Sequence, residues 1–130
     1  MLLKKINILL VDDDPKIRAL IKYTLNQEGF KNIQQASNGN EALAALRDWN
    51  FDLVLLDWDM PGMTGGEVLE KIKSDPVLED LKILMTSAHA ERDYVVTSLQ
   101  LGATDYLIKP FSPDSLYQKI EKLFSKAPSS

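Results

Sequence analysis

The chain has 130 residues, with 15 Lys and Arg against 19 Asp and Glu, for a formal charge of −4 with its single His neutral. That length suits one domain with a sizeable core, and the 45% apolar, 26% charged composition is that of a globular protein. With no Cys and one His there is no disulfide frame, thiolate zinc site, Cys nucleophile or His-pair metal site, and the acidic balance argues against direct nucleic-acid binding.

Short apolar runs alternate with amphipathic stretches five times. The first run, Ile6–Val11, reads as a buried strand and ends in Asp12-Asp13-Asp14. Asp14 suits a helix N-cap and Pro15 a first helical position; Ile17, Leu20, Ile21, Thr24 and Leu25 follow at helical spacing, and Gly29 can close the helix. Ile33–Ala36 is short and more polar, as an edge strand would be. A second helix is predicted from Asn40 to about Trp49, with Trp49 closing it against the core. Leu53–Leu56 is a third strand, followed by Asp57-Trp58-Asp59-Met60-Pro61-Gly62. Thr64-x-x-Glu67 has the form of a capping box ahead of Val68, Leu69 and Ile72. Gly62-x-x-Gly65-Gly66 lacks the Lys of a nucleotide-binding loop and reads as a turn. Ile83–Thr86 is a fourth strand ending in Ser87-Ala88. Arg92 to Leu101 is a fourth helix stopped by Gly102. Thr104–Ile108 is a fifth strand, ending in Lys109-Pro110-Phe111. Ser112-Pro113 opens a last helix with Leu116, Ile120, Leu123 and Phe124 inward. Ala127–Ser130 reads as a tail or the stub of a linker. No stretch approaches the roughly 18 apolar residues of a membrane span, and Met1–Lys5 lacks the order of a signal peptide. The expectation is a cytoplasmic protein.

The pattern βαβαβαβαβα implies an α/β fold: a five-stranded parallel sheet flanked by five helices, with right-handed crossovers. Ligands of such sheets sit beyond the carboxyl ends of the strands. There the sequence has Asp12, Asp13, Asp57, Ser87 and Lys109. Each has a plain alternative: Asp14 is simply a cap, and Asp12, Asp13 or Asp57 alone could be loop acids. Together they are harder to dismiss, because two like charges at about 4 Å repel by about 4 kcal/mol at an effective dielectric near 20. Three gathered carboxylates need cations. Lys109 supplies one charge, and an all-oxygen set suits Mg²⁺. Such a group can take up a phosphoryl on a carboxylate, with Lys109 and the Ser87 hydroxyl neutralising its oxygens. A glycosidase acid pair fits poorly in so short a chain. Asp57-x-Asp59 also resembles the nucleophile motif of haloacid-dehalogenase-type phosphatases, but it follows the third strand rather than the first.

The matching residues Val11-Asp12-Asp13, Asp57 with Met60-Pro61-Gly62-Met63-x-Gly65, Thr86-Ser87-Ala88, Gly102-Ala103-x-x-Tyr106 and Lys109-Pro110-Phe111 closely resemble the receiver domain of two-component response regulators. The resemblance covers about residues 5–126; residues 1–126 are taken as the domain and 127–130 as the tail. Within the family the nearest likeness is to stand-alone chemotaxis regulators. It implies a (βα)5 flavodoxin-like, doubly wound fold and a signalling protein rather than an enzyme.

The resemblance also implies roles. Asp57 would be the phosphoacceptor. Asp13, Asp57 and the carbonyl of Asp59 would bind Mg²⁺, with Asp12 acting through water. Ser87 and Lys109 would stabilise the phosphoryl group, and Ser87 and Tyr106 would form the switch. Asp59 stands where chemotaxis regulators have Asn, adding charge at the metal rim and strengthening cation binding. His89 replaces an acid, so Asp59 and His89 are candidate modulators of hydrolysis. The output face would include Ala90, Val95, Leu99, Tyr106 and Lys119, with Lys119 and Lys122 otherwise solvated. A cis bond is implied between Lys109 and Pro110. Implied partners are a CheA-like sensor histidine kinase or a phosphotransfer protein, and a flagellar motor switch protein or a phosphatase, with no membrane or nucleic-acid contact and a monomeric chain. Left open are another phosphorelay, a piece of a larger regulator, and a docking module that works without phosphorylation.

Overall fold

The computed structural model describes residues 3–125; the expected tail at 127–130 lies outside them. Five strands, β1 (Asn7–Val11), β2 (Asn32–Ala36), β3 (Leu53–Asp57), β4 (Lys82–Ser87) and β5 (Asp105–Ile108), alternate with five helices. The helices are α1 (Pro15–Gln27), α2 (Gly39–Asp48), α3 (Gly65–Lys73), α4 (Arg92–Gln100) and α5 (Pro113–Phe124), and short 3₁₀ turns stand at Leu3–Lys5 and Pro76–Leu78. The strands are all parallel, in the order β2-β1-β3-β4-β5. The α/β fold is as expected.

Side chains alternate across each strand, so the sheet divides the core in two. Leu9, Val11, Val54, Leu56, Ile83 and Met85 pack with Ala42, Val68, Leu69 and Ile72 on the α2–α3 side. Ile8, Leu10, Leu53, Leu55 and Leu84 pack with Ile21, Leu25, Leu116 and Ile120 under α1 and α5. Both faces of β1, β3 and β4 are therefore covered, which is why those segments are apolar without alternation. β2 lies at the edge and is mostly exposed, in keeping with its polar sequence.

Caps fix the helix starts. The Asp14 carboxylate accepts from Lys16 N–H, Asn38 from Glu41 N–H and Ser112 from Ser115 N–H. Asn38 moves the start of α2 to Gly39, one residue earlier than the pattern implied. The predicted box at α3 is complete: the Thr64 hydroxyl accepts from Glu67 N–H and the Glu67 carboxylate from Thr64 N–H, both at 3.2 Å. Thr64→Ala should lower stability by about 1 kcal/mol in urea unfolding, and Thr64→Ser should keep most of it; equal stability of all three proteins would mean the box contributes nothing.

Other expectations need correction. Trp49 does not close α2 against the core. It is the residue after the helix and 60% exposed, because α2 ends at Asp48 and the extended backbone of Trp49 leaves the helical stripe that buries Ala42 and Leu46. Leu20, at helical spacing in α1, is 61% exposed, since the buried stripe of α1 runs through Ile21 and Leu25. Leu123 and Phe124 pack on the core edge but are only partly buried. Gly65 and Gly66 are not turn residues; they open α3 and are buried, and only Gly62 has the positive φ of a turn. No helix among the described residues is long and apolar enough to cross a membrane.

Candidate functional site

The sheet order reverses direction between β1 and β3, and both strands end in acid. Strand register sets Val11 beside Leu56 and Asp57 beside Thr86. Asp12 follows β1, Asp57 ends β3, Ser87 ends β4 and Lys109 follows β5, so these side chains meet at one rim of the sheet. Backbone bonds extend the ladder across it: Asp12 N–H to Ala36 O, Trp58 N–H to Thr86 O and Lys109 N–H to Ser87 O. The Lys109–Pro110 bond is cis, as the resemblance implied.

Lys109 is the centre of the charge arrangement. Its ammonium lies 2.7 Å from Asp12 Oδ2 and 3.1 Å from Asp57 Oδ1. Asp12 and Asp57 are 3% and 4% exposed, so these contacts act with little screening from water. Asp12 Oδ1 also accepts the Asp14 N–H at 2.9 Å. Arg18 adds a brace with no signal in the sequence: its guanidinium donates to the Asp12 carbonyl and to Gln35 Oε1.

Burial pushes the Asp57 carboxyl from 3.8 up to about 6; the Lys109 charge opposes this and the Asp12 carboxylate adds to it. Burial pulls the Lys109 ammonium down, but its bond to Asp12 and the charge of Asp57 outweigh this and hold it above its ordinary value. The arrangement is thus an ammonium held by two carboxylates, one of which ionises reluctantly.

Asp12, the exposed Asp13 and Asp57 each offer an oxygen within 4.8 Å of the others. Three carboxylates against one ammonium leave negative charge uncompensated, and the donors are all oxygen. Both features fit a hard divalent cation such as Mg²⁺.

Ser87 is fully buried and lies in a second group beside the first. Its hydroxyl is 3.3 Å from Asp59 Oδ2 and accepts His89 N–H at 3.0 Å, while His89 Nε2 is 3.1 Å from Asp59 Oδ1. The buried Tyr106 donates its hydroxyl to the His89 carbonyl at 2.7 Å. Burial raises the Tyr106 phenol above its ordinary value, and the neighbouring Ser87 hydroxyl opposes this. Tyr94 stacks on the His89 ring at 4.0 Å and meets Trp58 edge-on. The periodicity of α4 carried no signal for this stacking.

The surface expectations fare unevenly. Ala90 is exposed, Leu99 is 45% exposed, and Val95 packs partly against the core. Lys119 is not a free solvated cation: it is half-buried and pairs with both Asp105 oxygens at 3.1 Å. Lys122 lines a shallow hollow with Leu107, Ser115, Gln118 and Lys119.

Comparisons with known proteins agree with this geometry. The model of the response regulator receiver domain family matches residues 8–121. A chemotaxis protein CheY of Pseudomonas aeruginosa is 42% identical over 119 residues, 92% of this chain and 96% of its own. The chemotaxis protein CheY-3 of Vibrio cholerae is 39% identical over 123 residues, 95% of each chain. The solved response regulator protein TrrA of Thermotoga maritima, in complex with Mg²⁺ and BeF, superposes with a TM-score of 0.80 at 40% identity, covering 91% of this chain and 98% of that one. A receiver fold, an acid rim at the strand ends and a family match across most of its length together establish that the chain belongs to the response regulator receiver domain family.

Proposed function

We propose that this chain is a single-domain response regulator, with residues 1–126 as the receiver and 127–130 as a tail. Asp57 accepts a phosphoryl group from a phosphohistidine of a CheA-like sensor kinase or a phosphotransfer protein. An Asp57 carboxylate oxygen forms the new P–O bond, the P–N bond of the donor breaks, and its electron pair returns to the imidazole. The observation that carries this reading is the meeting of Asp12, Asp13, Asp57 and Lys109 at the rim of the sheet.

Mg²⁺ would be held by Asp13, Asp57 and the Asp59 carbonyl, with Asp12 acting through water, and would neutralise phosphoryl charge. Lys109 pairs with one phosphoryl oxygen and Ser87 donates to another. Asp59 and His89 border the site and set how long the acyl phosphate lasts. The chain assists its own phosphorylation and dephosphorylation without turning over a separate substrate.

Tyr106 couples the site to the surface, because its hydroxyl bonds the backbone of the loop that carries His89. Drawing Ser87 toward a phosphoryl group moves that loop. The face of α4, β5 and α5, with Ala90, Val95, Leu99, Tyr106 and Lys119, then binds its target. The phosphorylated state supplies contacts favouring one of two arrangements. The names of the relatives support chemotaxis, hence a flagellar motor switch protein as target and a phosphatase as a further partner. The working form is a cytoplasmic monomer. An apolar cleft of about 400 Å³ beside Lys109, lined by Ile17, Leu20, Ile21, Pro110 and Phe111, supports docking of the donor next to the acceptor.

Acetyl phosphate with Mg²⁺ tests the reading. Intact mass should rise by one phosphoryl group, Trp58 fluorescence should change, and Asp57→Asn should show neither the mass gain nor the phosphoryl-dependent change. No mass gain in the parent chain would leave a docking module that works without phosphorylation.

A further inference from the structure

The Ser87 hydroxyl is contested. Its hydroxyl has one proton to give. That proton is directed at Asp59 Oδ2, 3.3 Å away, while the Ser87 oxygen accepts the His89 N–H at 3.0 Å. Ser87 is fully buried, while the Asp59 carboxylate it meets is about half exposed. The other Asp59 oxygen is held by His89 Nε2 at 3.1 Å. The His89 ring is itself fixed: Tyr94 stacks on it at 4.0 Å and 3° from parallel, and Glu91 Oε2 lies 3.6 Å from Nδ1. Tyr94 in turn meets Trp58 at 5.8 Å and 81°. The Asp59 side chain is thus tied from both ends, across 28 and 30 positions of sequence.

We infer that Asp59 and His89 form a latch on the Ser87 hydroxyl, which must open before Ser87 can donate to a phosphoryl group on Asp57. The inference rests on the phosphoacceptor reading of Asp57. Asp59 and His89 act here as positioning residues: they touch Ser87, and Ser87 touches the phosphoryl group. The acceptor meets a Ser87 whose proton is already committed, and uptake is slowed by the bond to Asp59 that must break. The same Ser87 oxygen accepts the His89 N–H, whose residue's carbonyl accepts the Tyr106 hydroxyl, so a shift of Ser87 toward a phosphoryl group reaches Tyr106 through the His89 backbone. Charge alone would not give this pattern, because charge at the rim acts with or without a hydroxyl at position 87.

The test follows the rate of phosphoryl uptake from acetyl phosphate at saturating Mg²⁺ by intact mass. Asp59→Ala should speed uptake about two- to tenfold, the range of one net hydrogen bond. In the Ser87→Ala background that factor should fall to near one, and Ser87→Thr, which restores a hydroxyl, should bring it back. His89→Ala should give a smaller acceleration that vanishes once Asp59 is Ala. Equal acceleration by Asp59→Ala with and without the Ser87 hydroxyl would overturn the latch and leave Asp59 as rim charge only. A parent chain that gains no phosphoryl group would instead fail the phosphoacceptor reading, and the latch would fall with it.

Discussion

Gly65→Ala is expected to destabilise the fold by about 2–3 kcal/mol and to slow phosphoryl uptake on Asp57 by about 10- to 100-fold. Position 65 opens α3, where Ala is the better helix former by up to about 1 kcal/mol. Local propensity therefore predicts a more stable protein. The packing predicts the opposite. A Cβ at position 65 would sit 2.2 Å from the Asp57 carbonyl oxygen, 2.7 Å from Trp58 Cα and 2.9 Å from the Asp57 carbonyl carbon. All three are backbone atoms, which cannot rotate aside. The end of β3 would have to shift, and it carries the acceptor. The 2.9 Å bond from Gly65 N–H to the Trp58 carbonyl holds the two segments together and would be strained as well. Gly66→Ala is the control. The three atoms nearest a Cβ there all belong to the Trp58 ring, at 2.9 Å and beyond, and a ring at a partly exposed position can give way. Urea unfolding and mass-detected uptake on both variants decide the matter. A Gly65→Ala protein as stable as the parent would show that the two backbones do not approach this closely.

Asp57→Asn should make the metal-free protein more stable by about 1–3 kcal/mol at neutral pH while abolishing phosphoryl uptake. The carboxyl stands at about 6 in the folded chain against 3.8 ordinarily, chiefly because burial disfavours its charge. A raised carboxyl favours the folded state only while protonated. Its contribution is fully present below about pH 4 and is lost as pH rises toward 6; above that the buried charge is a constant cost. At about 1.4 kcal/mol per pH unit the full cost approaches 3 kcal/mol, with the attraction to Lys109 already included in it. Lys109 keeps Asp12 as its partner, so the substitution does not strand a buried cation. In EDTA, the stability gap between variant and parent should open between pH 4 and 6 and stay flat above. Mg²⁺ should narrow it by stabilising the parent, by about 2.7 kcal/mol at 100 times Kd. A variant less stable than the parent at pH 7.5 in EDTA would mean that Asp57 is not a strained charge.

Neither effect is written in the local sequence. The glycine at 65 was legible as part of a motif, but its reason was not. It looked like turn chemistry, whereas its φ is unremarkable and the requirement is a missing Cβ. The acids and Lys109 were legible as a group because each stands at the end of an apolar run. The sequence put Lys109 among these acids, but not which of their oxygens it reaches, and it carried no sign that Arg18 would brace the Asp12 carbonyl.

The local sequence sets the alternation of strands and helices, the helix starts at Asp14, Thr64 and Ser112, and the edge character of β2. Those features depend on neighbours within a few positions, through periodicity and through side chains that cap their own helix. It also determined which residues stand at the strand ends, since a parallel sheet points all those ends the same way. The order β2-β1-β3-β4-β5, which sets β1 beside β3 and so holds Asp12 next to Asp57, comes from long-range packing. Only there does Ser87 meet Asp59, Tyr106 meet the His89 carbonyl, Lys119 meet Asp105, and Trp49 turn out to solvent. Apart from the outward turn of Trp49, these contacts join residues from 14 to 45 positions apart. Their geometry is set by register and by which backbones pack together, and neither is written in any local stretch of the chain.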